Sequence, residues 1–253
     1  MRSNPLAAAL WMVLASLSST PCTVHSGVVV LAPSKDASMF EDAEGTLADG
    51  TGEALFCGRN RQMLRRRALI AFEVAGAIPE GAVVDSAVLI LHVSNAPDQI
   101  PRPFSLHRLE GSWGEGASDG GGGGSGAPAS SGDATWLHRS FPGAHWISPG
   151  GDFAAEASAT TVVGDLGAYR WSGVSLTDDV RAWRSEPWNA HGWMLVGDET
   201  TRQTTRRFDS RSAIDPARRP ALVIHYSSGG NGAGGAVDER RTSTWGHLKT
   251  RFR

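Results

Sequence analysis

The chain has 253 residues, 40% of them hydrophobic and 20% charged, enough apolar side chain to bury the core of one large β domain or two small ones. Residues 27–228 carry 18 basic and 24 acidic side chains, a net of −6, whereas 229–253 carry five basic and two acidic, a net of +3. A mildly acidic body without a basic stripe excludes a nucleic-acid-binding profile.

At the N-terminus, Arg2 precedes an apolar run over 6–17 and then small polar residues. This is the layout of a secretory signal peptide cut after Ser26, too short for a membrane span. The expectation is a leader over 1–26, a mature protein that is secreted or held at the cell surface, and no transmembrane span after cleavage. Such a cut leaves Cys57 without a partner for a disulfide.

Beyond the leader the pattern is β. Short runs of β-branched and apolar residues predict strands at 28–31, 53–56 and 67–74, the last with Ala68, Ile70, Phe72 and Val74 on one face. Ile78-Pro79-Glu80-Gly81 reads as a turn. The strongest strand is 83–93, with Val83, Asp85, Ala87, Leu89, Leu91 and Val93 on one face, followed by a strand at 104–109. Residues 111–135 are dominated by Gly, Ser, Ala and Asp and predict a long loop. Strands resume at 159–163, 169–171, 193–196, 206–209 and 221–226. One helix is predicted over 177–185, because Leu176, Val180 and Trp183 share a helical face. Thr177 suits its N-cap, Asp178 and Asp179 its first turn, and Pro187 its stop. Many short strands divided by turn residues, with a single short helix, predict an all-β, jelly-roll-like β-sandwich over 27–228. The glycine-rich basic segment 229–253 has no apolar face and reads as a disordered tail.

Five stretches resemble, in order, the exported DNRLRE-type domain: RRRALIAFEVAGAIPEGAVVDSAVLILHV, LHRLEGSWGEG, GDATWLHRSFPGAHWISPGGDF, NAHGWMLVGDE and TRRFDSRSAIDPARRPALVIHY. The resemblance covers roughly 35–226. It implies a jelly-roll β-sandwich grouped with a carbohydrate-binding module family and, for some members, binding of acidic polysaccharide such as alginate.

Two sets of residues are candidates for such binding. Trp136 and Trp146, with His138 between them, lie in the irregular stretch 132–146; an indole face can stack on a sugar ring, and equally can pin a loop against a sheet. The expectation is a loop at one end of the sandwich with at least one of the two indoles accessible. Arg207, Asp209 and Arg211 would share one face of a strand and grip a sugar carboxylate, or form a structural ion pair. His138 and His145 lack a third ligand for zinc. Asp36, Glu41 and Asp42 can supply oxygens to a structural calcium, the one metal envisaged; no other cofactor is expected. Arg65-Arg66-Arg67 reads as a solvated turn or an anchor at the start of a strand. No nucleophile, zinc-protease or phosphate-loop motif occurs. The leading reading is an exported, non-catalytic carbohydrate-binding module whose partner is an extracellular, acidic polysaccharide. A surface-structural or adhesion domain stays open beside it, and behind both a polysaccharide lyase or hydrolase.

Overall fold

Strict alternation along 83–93 places the central strand of the fold, and the computed structural model, in which residues 24–229 are described, builds its sheets outward from there. Residues 1–23 of the expected leader and 230–253 of the expected tail lie outside the described residues; Val24, His25 and Ser26 already belong to the first strand.

The strands in chain order are β1 (Val24–Leu31), β2 (Lys35–Phe40), β3 (Leu47–Asp49), β4 (Ala54–Arg59), β5 (Arg65–Ala71), β6 (Val83–Asn95) and β7 (Arg102–Leu109). Three short ones follow, β8 (Ala127–Pro128), β9 (His138–Ser140) and β10 (Ala144–His145). Then come β11 (Phe153–Val163), β12 (Gly167–Ser172), the helix α1 (Val174–Ser185), β13 (Trp193–Val196), β14 (Arg206–Asp209) and β15 (Ala221–Gly229). The fold is all-β and sandwich-like, with one α-helix among the described residues.

β6 pairs with β12 on one edge and with β15 and then β14 on the other, since Val93 has a partner in each of β12 and β14 and Ile90 one in each of β12 and β15. β14 continues to β4. The second layer runs β5, β13, β7, β11, with β2 and β3 beside β5. β4 joins the layers: its first four residues pair with β14, and Gly58 and Arg59 pair with β5. Gly58 makes this corner with φ +119, and a side chain there would meet the Thr204 carbonyl at 2.9 Å.

Between the layers Leu89, Leu91, Val93, Phe208, Leu222 and Ile224 meet Ala68, Ile70, Phe104, Leu106 and Trp193. The predicted face of β6 holds for Ala87 through Val93 but slips at its start, where Val84 is buried and Val83 and Asp85 are exposed. A register shift against β15 between His225 and Tyr226 turns that end of the strand over.

A second core lies on the other face of β5. There Leu69, Ala71, Met39 and Met194 are covered by Trp113, Trp136 and Trp146 from the segment between β7 and β11. β5 is therefore apolar on both faces, which explains a strand buried from Arg66 to Ala71. β2 escaped sequence reading because Asp36 and Ser38 are buried in it; the Ser38 hydroxyl accepts the Phe56 N–H.

The helix differs from expectation at its start. It begins at Val174 with Gly173 as N-cap, so Thr177 is not the cap and Asp178 and Asp179 are not in the first turn. The buried apolar stripe starts at Leu176, two residues into the helix; Val174 is exposed and off that stripe, and Ser175 is polar. Thr177 instead donates to the Gly173 carbonyl and accepts the Ala87 N–H, tying α1 to β6. The buried Asp179 accepts from the Trp193 indole and the Ser158 hydroxyl. The expected face of Leu176, Val180 and Trp183 is buried.

Candidate functional site

The glycine-rich loop predicted at 111–135 is fastened by two carboxylates. Asp133 accepts from the backbone N–H groups of Ala117, Ser118 and Ser130, and Asp49 from those of Gly52 and Gly120. So held, Gly122, Gly123 and Gly124 form one wall of a cleft of about 350 Å³. Gly124, at φ +71, lies so close to Phe56 that a side chain would meet its ring at 2.9 Å. Phe56 from β4, Arg66 from β5, Arg207 from β14 and Asn95 and Pro97 from the end of β6 supply other walls, with Arg59, Arg61, Gln203 and Thr205 at the rim.

Four arginines thus line one cleft, and no carboxylate does. Among the described residues none of the four forms an ion pair. Two are oriented by backbone carbonyls instead, which fix a guanidinium without neutralising it. Arg59 donates through Nε to Met63 and through Nη1 to Glu199. Arg66 donates through Nε to Gly124 and through Nη1 to Arg65, and lies over the Phe40 ring at 5.0 Å. Arg66 is only 6% exposed, and burial pulls its pKa below the ordinary arginine value. The charge of Glu41 opposes that effect without forming a salt bridge to Arg66. Arg207 makes no hydrogen bond through its guanidinium, and its buried Nε meets no acceptor; nor does the buried Thr205 hydroxyl. Orphaned donors at a cleft wall are what an absent acceptor would satisfy.

Of the residues expected to bind, Arg207 alone lines this cleft. Asp209 turns to His92, whose Nδ1 stands 3.3 Å from its Oδ2. Arg211 lies beyond the end of β14 and is engaged with Glu115 through Nε and Nη2, so the three do not form one face. Trp136 and Trp146 are 3% and 6% exposed, against the expectation of an accessible indole, and they lie over the outer face of β5 rather than at an end of the sandwich. Arg65 and Arg67 lie over the Trp136 ring at 4.7 and 5.0 Å, and the Trp146 indole donates to the Thr135 carbonyl. The place a sugar would take is filled by arginine. Among the described tryptophans the exposed one is Trp188, 71% accessible, on the turn Pro187–Asn189 after α1.

His138 and His145 do come together, ring centroids 4.2 Å apart, with His138 Nδ1 3.0 Å from the Thr135 hydroxyl. Burial, and then the neighbouring His145, lower the His138 pKa. No group of three metal-ligating side chains gathers among the described residues. The expected calcium set is dispersed: Asp36 accepts the Arg211 N–H, Glu41 pairs with Arg65, and Asp42 accepts from Thr46.

Sequence reading missed Arg59, Arg61 and Arg66. The signal was present in Arg65-Arg66-Arg67, read as solvated. Arg65 and Arg67 flank Arg66 on the opposite face of β5, and salt bridges to Glu41 and Glu199 occupy them, leaving Arg66 to the cleft.

Fold and cleft together define a sandwich-like β domain with an arginine-lined cleft. No protein-family profile matches the chain, and no curated protein is similar to it in sequence.

Proposed function

We propose that the protein is an exported, non-catalytic module that binds an extracellular polysaccharide carrying negative charge, and that the arginine cleft is its binding site. The observation that carries this reading is four guanidinium groups around about 350 Å³ with no carboxylate among the lining residues. Arginine forms strong charge-assisted hydrogen bonds to oxyanions while its charge persists at any physiological pH. The other lining groups are amides, a hydroxyl, a phenyl ring and backbone; none exchanges protons near neutrality, which suits binding rather than acid–base chemistry. The N-terminal pattern supports export, and the resemblance to the exported DNRLRE-type domain belongs to the same proposal. No helix among the described residues is long and apolar enough to cross a membrane.

The test is a titration of the protein and of its Arg207→Ala and Arg59→Ala variants with anionic and neutral polysaccharides. Anionic polymers should bind and neutral ones should not. Each variant should weaken binding about tenfold, the loss of one charge-assisted contact, and added salt should narrow the difference from the parent. Unchanged binding in both folded variants would place the site elsewhere. Silence toward every polymer would favour the surface-structural reading.

A further inference from the structure

The same chain shows how it holds carboxylates, and the cleft is built differently. Arg65 meets Glu41, Arg67 meets Glu199 and Arg211 meets Glu115, in each case with one guanidinium donating through Nε and Nη2 to the two carboxylate oxygens. Arg102 grips Asp98 through Nη1 and Nη2. One planar fork on one planar acceptor is the rule for these four pairs.

At two of the cleft arginines the side-on fork is closed. The Nε groups of Arg59 and Arg66 are occupied by the carbonyls of Met63 and Gly124 and their Nη1 groups by those of Glu199 and Arg65, while the Nε of Arg207 remains a donor without an acceptor. Arg59 and Arg66 thus present only terminal nitrogens to the space, Nη2 being without a partner in each, and Arg59, Arg66 and Arg207 approach it from three different strands. A carboxylate offers its acceptor positions in one plane. A sulfate or phosphate ester offers oxygens in three dimensions, so several guanidinium groups can each take one.

We infer that the anion held in the cleft is a tetrahedral oxyanion ester on a sugar, sulfate or phosphate, rather than the carboxylate of a uronate. This rests on the polysaccharide reading above and names its substrate class.

The full chain is titrated with a sulfated galactan, the same galactan after desulfation, a phosphorylated mannan and a polyuronate of matched charge per sugar. At least one ester-bearing polymer should bind about tenfold or more tighter than the polyuronate, given several charge-assisted contacts against one fork. Whichever of the two does so identifies the ester, and for the galactan desulfation should abolish binding. Inorganic sulfate or phosphate should displace the polymer where acetate at equal ionic strength does not. Polyuronate binding as tightly as both esters overturns the inference and leaves the anionic-polysaccharide reading standing. Absence of binding to all three charged polymers overturns that reading as well.

Discussion

Asp36 and Asp49 are each 2% exposed, and the Oδ2 of Asp49 has no hydrogen-bond partner. Burial raises Asp36 to about 7, against the opposing Arg211 N–H, and raises Asp49 to about 6, against the N–H groups of Gly120 and Gly52. In the unfolded chain both ionise near pH 4. Between pH 4 and 7 these two sites therefore hold more protons in the folded state than in the unfolded one and make stability fall as pH rises, outweighing the opposite contribution of His138 and His191, whose pKa values burial lowers. Asp98, held low by the Arg102 guanidinium, and Glu41, held low by Arg65, act oppositely, their contribution being lost as pH falls below about 4. Thermal scans at constant ionic strength should give a Tm several degrees lower at pH 8 than at pH 5. Asp36→Asn, which keeps an acceptor for the Arg211 N–H, should flatten that slope. A parent Tm that rises from pH 5 to 8 would contradict the assignment.

At the scale of elements, the segment between β7 and β11 acts as a third layer. Its tryptophans convert the outer face of β5 from surface to core, and Arg65 and Arg67 add cationic contacts on the Trp136 ring. Trp136 is thus a packing residue. Trp136→Ala should cost about 3–5 kcal/mol in denaturant unfolding, while the folded variant binds anionic polymer as the parent does. A cost under about 1 kcal/mol, or a folded variant that no longer binds, would return Trp136 to the ligand. The periods of β6 and of α1 were legible because each buries one stripe of side chains. The covering segment was not, because its residues keep no period and are placed by the pegs on Asp133 and Asp49 rather than by alternation.

For the molecule as a whole, two cores share one set of strands. Ile70 and Ala68 face the inner core while Leu69 and Ala71 face the outer, and β13 divides likewise, Trp193 and Leu195 inward and Met194 outward. Loss of either core would strip a face from the same strands, so the unit His25–Ser228 should unfold as one. Urea transitions followed by tryptophan fluorescence and by far-UV circular dichroism should coincide; two separated midpoints would show that the covering segment melts alone.

Alternation and helical period are local properties of neighbouring residues, so the all-β class and the one helix of residues 24–229 could be read before any tertiary contact was known. The sequence by itself also singled out Arg207. Which arginines are free was decided only by tertiary structure. Arg65, Arg67 and Arg211 look no different in sequence from Arg59, Arg66 and Arg207. The first three meet Glu41, Glu199 and Glu115, between 24 and 132 residues away, while the second three meet no carboxylate. A charge becomes available for a ligand when the fold brings no carboxylate within salt-bridge reach of it, and pairings across such separations leave no period in the sequence to read.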